Sequence, residues 1–506
     1  MRRWLLLVLS LAPGAARAQL PVDTTGAGRL IEEALQRSEL MPNLQYLSDM
    51  IGPRLSGSPA MRRANDWFVE RFRGYGLSAS LEAYPFGVTW ERGPIAVRLL
   101  SPFPRAVTAW SWAWTEGTGG KALAGPIVRV NAATPESLAV YRERIRGAWL
   151  IISDTALVWN PDGPAMTAAD SAARRAEQER RQGLARQLNA DTSKAARDAR
   201  QQFGIDRPYV LRKMGALGTL TDGGKEHALV TMSGSPNRVS PLPNLVVSHE
   251  DFLMFTRQIG AGGTPRLEAR IENRIGKAPV EQWNTIGEIR GSEWPGQVVI
   301  LGAHLDSWDV AQGVTDNGAS SVAVLEAARV IKASGLTPKR TIRFILFSGE
   351  EQGLLGSRAY AAAHAATADS IQAVLVLDNG TGMITGQALQ GRDELEQLWK
   401  DLLAPVAGLG AGGVRQGMKG GTDHLAFVPY GVPAFNFDQE TRGYNHTHHS
   451  QSDTFDKAIG GDLRQAAAVL AVTAYQLANL PELLPRGTRT EVTPPSVAKP
   501  SPGVAR

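Results

Sequence analysis

The segment 302–316, with the sequence GAHLDSWDVAQGVTD, places an imidazole and several carboxylates at spacings that suit metal binding. His304 and Asp306 follow an apolar run, residues 297–303, that is typical of a buried strand. Alternate residues of a strand share a face, so the two side chains point the same way. We therefore predict His304 as a metal ligand and Asp306 as the carboxylate that orients its other ring nitrogen.

Asp316 ends the same segment and precedes Asn317-Gly318 and a helix-like run, residues 319–332. This order predicts that the carboxylate sits in the turn before a helix. A carboxylate has two oxygens and can bridge two cations from that position.

Two further apolar runs end in acids. TIRFILF, residues 341–347, precedes Ser348-Gly349-Glu350-Glu351, and AVLVL, residues 373–377, precedes Asp378. Adjacent acids repel each other unless their roles differ, so we predict Glu351 as a ligand and Glu350 as general base toward a metal-bound water. Side chains collected from successive strand ends fit the rule that open α/β sheets bind ligands at the carboxyl ends of their strands.

The last chemically informative stretch is YNHTHHSQSDTFD, residues 444–456, which holds three of the eight histidines. One of these histidines is expected to complete the metal site. Taken alone, each of these motifs has another explanation, such as a core hydrogen bond, a helix cap or a solvated loop. Their order within about 150 residues favours one shared site.

In this order the motifs resemble the co-catalytic zinc aminopeptidase family. The resemblance rests mainly on HLDSWDVAQGVTDNG and KRTIRFILFSGEEQG and extends from about Asn43 to about Leu480. It implies an α/β fold, a helix-flanked mixed sheet of the zinc exopeptidase type with an inserted β-rich protease-associated domain. It also implies two Zn²⁺ ions per chain, for which Co²⁺ or Mn²⁺ could substitute.

Carried over to this chain, the resemblance implies Asp316 as the bridging ligand, with His304 and Asp378 on one ion. Glu351 and His449 would hold the other ion, since His449 lies four residues before the Asp-Thr pair of the last motif. Glu350 would be the base and Asp306 a supporting catalytic residue. His446 and His448 would be free to contact substrate.

Two details accompany this resemblance. It implies a cis peptide bond between Asp316 and Asn317. Some relatives carry an oxyanion-stabilising tyrosine before a Ser-Asp-His motif, but this chain reads MKGGTDH at residues 418–424. We therefore expect a metal ion or another donor to stabilise the oxyanion, and a supporting role for Asp423 and His424.

The implied activity is hydrolysis of the N-terminal peptide bond of dipeptides or short peptides, through a metal-bridging water activated by a glutamate. A broader aminopeptidase acting on longer peptides is an alternative. Two others use the same fold differently: cyclisation of N-terminal glutamine, which needs one metal, and a non-catalytic binding ectodomain. Such ectodomains lose ligands, whereas the full ligand set is present here.

The N-terminus predicts export. Arg2-Arg3, an apolar run and Ala16-x-Ala18 form the pattern of a secretory signal peptide at residues 1–18, with cleavage before Gln19. No later run approaches the roughly 20 apolar residues of a membrane span, so we expect a periplasmic or secreted protein without a stable membrane anchor. The absence of cysteine excludes disulfides and thiolate ligands.

The remaining sequence suggests two domains. We assign 19–96 and 275–480 to the catalytic domain, 97–274 to the protease-associated-like insertion, and 481–506, which is rich in proline, to a disordered tail. Within the insertion, 165–202 predicts a solvated helical excursion. The net charge of +5 is small and the charges are mixed, so we expect a peptide substrate and no nucleic acid, and leave open a homodimer.

Overall fold

The computed structural model describes residues 23–132, 134–152 and 193–491, together with five further positions between 172 and 183. The predicted signal peptide, most of the predicted helical excursion and residues 492–506 lie outside the described residues. No helix of the described part is both long and apolar enough to span a bilayer.

The described strands are short to medium in length and fall into two sheets. They are β1 (Ser78–Glu91), β2 (Ile95–Ser101), β3 (Arg105–Ala106), β4 (Ala109–Ser111), β5 (Leu123–Arg129), β6 (Trp149–Ile151), β7 (Gly218–Asp222), β8 (Asn244–Val247), β9 (Arg266–Ile271), β10 (Arg274–Ile289), β11 (Trp294–His304), β12 (Arg340–Phe347), β13 (Ile371–Val376), β14 (Ile384–Ala388), β15 (Gly413–Arg415) and β16 (Ala434–Gln439).

The described α-helices surround these sheets. They are α1 (Thr24–Gln36), α2 (Leu40–Gln45), α3 (Pro59–Gly74), α4 (Pro135–Ala139), α5 (Arg142–Ile145), α6 (Lys194–Lys213), α7 (His249–Gly260), α8 (Ala319–Ala333), α9 (Leu355–Ala363), α10 (Glu396–Leu403), α11 (Tyr444–Thr447) and α12 (Gly460–Asn479).

The larger part of the chain forms a mixed sheet in the order β1-β10-β12-β11-β13-β16-β14-β15. Its centre, β12, β11, β13 and β16, is parallel, whereas β1 pairs antiparallel with β10, β10 with β12 and β14 with β16. The edge strand β15 is parallel to β14. The parallel strands therefore end at the same edge. The three apolar runs predicted as strands are β11, β12 and β13, which confirms that part of the sequence prediction.

Both faces of the central sheet are covered, because alternate side chains of each strand enter different cores. In β11, Val299 and Leu301 join the cluster that includes α1, α3, α8 and α12, whereas Ile300 joins a second cluster with Tyr360 of α9. Each fully buried aliphatic side chain of this kind stabilises the fold by about 1.5–3 kcal/mol. The predicted α/β class and helix-flanked mixed sheet are thus confirmed.

A second sheet, in the order β3-β2-β9-β5-β6-β7-β8-β4, is inserted in the chain between β1 and β10. Its core contains Trp149, Leu245 and Phe252. We call this region the insert. Its sheet spans residues 95–271, close to the predicted boundaries, and its identity as a protease-associated domain stays a prediction. Residues 194–202, the end of the predicted helical excursion, lie in α6. This helix continues to Lys213, and its Leu211 is buried.

The first residues of the predicted disordered tail differ from that prediction. Leu484 is buried, and its backbone N–H donates to Oε1 of Gln372 at 2.8 Å. Tyr430 and Arg489 form an isolated β-bridge. Residues of the segment 481–491 therefore pack against the domain that contains the central sheet. Proline-rich composition signals a lack of regular structure but does not exclude packing of an irregular segment.

Candidate metal centre

Five of the predicted site residues meet at the carboxyl edge of the parallel strands. His304 is the last residue of β11, while Glu351 and Asp378 follow β12 and β13 within a few residues. Asp316 lies in the turn Val314–Gly318 that opens α8, and His449 comes from the loop after α11. The parallel register of the three strands brings these distant segments together.

The carboxylate of Asp316 lies between two groups of donors. Its Oδ1 is 3.3 Å from Nε2 of His304, which is itself 3.4 Å from Oδ1 of Asp378. Its Oδ2 is 3.4 Å from Nε2 of His449, which is 2.8 Å from Oε2 of Glu351. We call His304 and Asp378 the strand group, and Glu351 and His449 the loop group. This division matches the one that the resemblance implies.

His448 is the other imidazole near the loop group. Its Nε2 lies 3.9 Å from Oδ2 of Asp316, and its ring stacks on that of His449 with centroids 3.7 Å apart. Its side chain is 41% exposed, whereas that of His449 is 22% exposed. His448 lies close enough to Asp316 and His449 to share an ion with them, but the shorter contact of His449 with Asp316 and its contact with Glu351 favour His449 as the ligand.

The electrostatics of the strand group favour a positive charge there. Burial alone would lower the pKa of His304, but the negative charge of Asp378 and contacts with Asp306 and Asp316 raise the pKa well above its usual value. Burial opposes the ionised form of Asp316 too, yet its contact with His304 and the charge of His449 hold its pKa below the ordinary range. The pocket thus attracts cationic groups to its carboxylates.

The donor set fits metal ions. Oδ2 of Asp316, Oε1 of Glu351 and Oδ1 of Asp378 are buried and have no hydrogen-bond partner among the described residues. Leaving a buried carboxylate oxygen without a partner is costly, and a cation removes that cost. Imidazole nitrogens together with carboxylate oxygens are the ligand types that zinc accepts.

The structure differs in one respect from the prediction that the carboxylate of Asp306 orients the ring of His304. Nδ1 of His304 lies 3.0 Å from the backbone oxygen of Asp306 and 3.7 Å from its carboxylate, so the backbone carbonyl makes the shorter contact that orients the ring. The carboxylate instead accepts from the backbone N–H groups of Glu350 and Glu351, at 3.2 and 3.4 Å. Ser56 donates to it at 3.1 Å. Asp306 is therefore a positioning residue for the glutamate pair.

Glu350 directly precedes Glu351 at the site, the position predicted for the general base. Burial raises the pKa of its carboxyl group well above the ordinary value, and the charge of Asp378 raises it further against the opposing effect of His304. The same burial raises the pKa of Glu351, whose neighbours include Asp316.

The turn that carries Asp316 is held by a second carboxylate, Asp453. Its Oδ1 accepts from the backbone N–H groups of Val314 and Thr315, at 2.9 and 2.5 Å, and its Oδ2 accepts from that of Asp316 at 3.1 Å. Burial raises the pKa of Asp453 to about 7. The Asp316–Asn317 peptide bond is cis, as the resemblance implied.

A buried guanidinium supports the same segment. Arg54 donates to the backbone oxygens of Leu305, Gln312 and Gly313 at 2.6–2.8 Å. Burial lowers its pKa to about 10, which leaves it charged at neutral pH. Gly313 has φ +64° and leaves no room for a side chain, since a Cβ there would lie 2.2 Å from that of Ser307.

Arg54 and the positioning role of Asp453 were not predicted. Both residues contact groups more than 130 positions away along the chain, so no local sequence pattern predicts these contacts. A signal was present for Arg54, because Gly52-Pro53 interrupts an otherwise helical stretch directly before it.

The predicted supporting residues Asp423 and His424 are both buried. Burial raises the pKa of Asp423 to about 7 and lowers that of His424 to about 4. Nε2 of His424 lies 2.9 Å from the backbone oxygen of Lys419. At neutral pH His424 is therefore neutral, and the pair adds no fixed positive charge to the site.

Trp308 and Asp309, which follow Asp306 closely in sequence, have different surroundings. Trp308 lines a small cavity beside Asp316, Glu351 and His449, with its ring centroid 5.8 Å from that of His449. Asp309 instead pairs with Arg92 at 2.7 Å and is turned toward the insert.

Comparisons with known proteins agree with this geometry. Residues 284–474 match the sequence profile of Peptidase family M28. Carboxypeptidase Q from Bos taurus is 28% identical over 452 residues, which cover 88% of this chain and 86% of that protein. The same name belongs to a Xenopus laevis relative that is 34% identical over 253 residues, 49% of this chain and 53% of that protein.

A solved structure extends the likeness to the fold. The crystal structure of a Peptidase M28 precursor from Shewanella amazonensis SB2B has a TM-score of 0.71 at 23% identity, covering 92% of this chain and 99% of that one. The predicted resemblance and the prediction of a metallo-exopeptidase are thereby confirmed. The part of the chain that carries the candidate metal centre, residues 284–474, is thus similar in sequence to Peptidase family M28.

Proposed function

We propose that this protein is a di-zinc exopeptidase that hydrolyses the N-terminal peptide bond of dipeptides or short peptides. The observation that carries the proposal is the position of Asp316, whose two carboxylate oxygens face separate groups of donors. One tetrahedral catalytic ion uses about three protein ligands, and five candidate ligands around a shared carboxylate exceed that need.

The strand group would hold one ion and the loop group the other, with Asp316 common to both. When bound, such ions act as Lewis acids toward the scissile carbonyl and make water a better nucleophile at neutral pH. Zinc is the metal that the nitrogen and oxygen donors favour, and Co²⁺ or Mn²⁺ could replace it.

The chain itself supplies the proton transfers and the alignment. Glu350 takes a proton from the attacking water and returns it to the leaving amine. Asp306 keeps Glu350 and Glu351 in place through their backbone N–H groups. Asp453 and Arg54 fix the turn of Asp316, so both groups of donors keep their separation while substrate binds and leaves.

Export to the periplasm or medium remains part of this proposal, on the strength of the signal-peptide pattern at residues 1–18. A short peptide is the expected partner. Homodimer formation is left open.

Three substrates test the proposed activity: a free dipeptide, its N-acetyl form and a hexapeptide. We expect rapid cleavage of the free dipeptide and no cleavage of the acetylated form. The site cannot hold a blocked amino group, so the first peptide bond of the acetylated form is not oriented for attack. Equal cleavage of the acetylated dipeptide would contradict recognition of the amino terminus. Progressive trimming of the hexapeptide would instead support the broader aminopeptidase.

A further inference from the structure

One loop of the insert contacts the segment that carries His449. We call residues 224–232 the insert loop and residues 444–451 the histidine loop. The backbone N–H of Met232 donates to the backbone oxygen of His449 at 2.8 Å. The side chain of Gln451 accepts from the N–H of Val230 at 3.0 Å and donates to the oxygen of Ala228 at 2.8 Å.

Apolar packing fixes this contact. Met232 and Val230 belong to one buried cluster with Trp308 and Trp114, and the rings of the two tryptophans meet edge to face at 6.5 Å. The insert loop is thus packed against residues that line the site as well as bonded to the histidine loop. A side chain on the insert loop is therefore held at a fixed place beside the loop group.

Lys225 is the cationic side chain that this arrangement brings to the site. It is half-buried, and its ammonium donates to the backbone oxygen of Asn445 in the histidine loop. Its charge acts on both Asp316 and His448, so it lies near the loop group. Its hydrogen bond to Asn445 uses one of the three donors of an ammonium and leaves two for another group.

We propose that Lys225 binds the free α-carboxylate of a dipeptide substrate and so selects substrates that end one residue beyond the scissile bond. This inference rests on the proposed function and adds the group that would limit the substrate to two residues. A peptide residue spans about 3.3–3.6 Å, so the carboxylate of a dipeptide lies close to the bond that is cut. The acids of the site would repel this carboxylate unless a cation lay nearby. Lys225 supplies that cation and can donate a charge-assisted hydrogen bond to the carboxylate.

The test compares Lys225→Met with the wild-type protein on two substrates, alanyl-alanine and alanyl-alanine amide. The amide keeps the amino terminus and the scissile bond but lacks the carboxylate. We expect kcat/KM for alanyl-alanine to fall about 10- to 100-fold, mainly through KM, and that for the amide to change by less than about threefold. Lys225→Arg should restore part of the loss, because it keeps the charge.

Lys213→Met is the matched control, since Lys213 is an exposed lysine of the same insert. It should leave both substrates unaffected. An equal loss on both substrates for Lys225→Met would mean that Lys225 only anchors the histidine loop, and no loss on either would mean that it does not contact substrate. Both results overturn the inference, whereas a wild-type protein that cleaves neither substrate would overturn the proposed function itself.

Discussion

The strand group and the loop group share Asp316 but are built in different ways. His304 and Asp378 follow parallel strands of the central sheet and are nearly inaccessible to solvent, with side chains 1% and 7% exposed. His449 comes from an irregular loop, has a left-handed backbone at φ +57°, and is 22% exposed. The sheet holds the first group and also Glu351, whereas His449 depends on a hydrogen bond with the insert.

For the proposed di-zinc centre, this difference predicts that the two ions are bound with unequal strength. Ligands on rigid strands are held in their binding geometry before the ion arrives, which lowers the cost of binding. A left-handed conformation is uncommon for a residue other than glycine and persists only where the surroundings impose it. For His449 this constraint comes from the insert, because the backbone N–H of Met232 donates to the backbone oxygen of His449.

Replacing the base has the largest expected effect and touches neither group of ligands. Glu350→Gln should lower kcat about 10²- to 10⁴-fold, because the amide keeps the shape of the side chain but cannot accept a proton from water. Metal content and substrate affinity should stay near wild type. Steady-state kinetics together with elemental analysis of the same preparation check both expectations.

Glu394→Gln serves as a control. Glu394 is distant from Glu350 along the chain, and its side chain is largely exposed. A loss of less than about tenfold for Glu350→Gln would assign the proton transfer to another group. A loss of metal would place Glu350 among the ligands.

The next effect separates the two histidines of the loop. His449→Ala should remove one of the two ions after dialysis and leave the ion of the strand group bound, because only the loop group loses a donor. His448→Ala, the matched variant, should keep both ions. If His448→Ala loses an ion and His449→Ala does not, then His448 is the ligand and the register of the last motif is wrong.

The smallest effect concerns the bond between insert and loop. Gln451→Ala removes two hydrogen bonds to the insert loop, each worth about 0.5–1.5 kcal/mol. We expect a several-fold weaker affinity for the more weakly held ion and an unchanged affinity for the other, measured by competition with a chelator. Gln416→Ala, at an exposed position, should change neither. Equal weakening of both ions would remove the distinction between the groups.

The strand group could be predicted from sequence more fully than its supports. Apolar runs such as 297–303 have the length and composition of buried strands, and their ends fix where His304 and Asp378 must lie. His449 needed the resemblance, because three neighbouring histidines offer no local reason to choose one. The distances of the structure now give that reason.

The positioning residues could not be predicted for a different reason. Arg54 and Asp453 act on backbone groups of a turn that lies far from them along the chain, and any polar side chain in the right place could do so. The role of Asp306 also depended on geometry, since its backbone oxygen and its carboxylate both lie near His304. The contact of the insert loop with His449 is made by backbone groups. It does not depend on residue type, so the sequence could not predict it.

Counting the metal ions bound per chain tests the central claim most directly. Elemental analysis of the purified, active protein should give two zinc ions per chain, and stepwise chelation should remove them in two stages, the loop-group ion first. Activity should be lost with chelation and return when zinc is added. A single tightly bound ion per chain, or full activity after exhaustive chelation, would contradict the di-metal account.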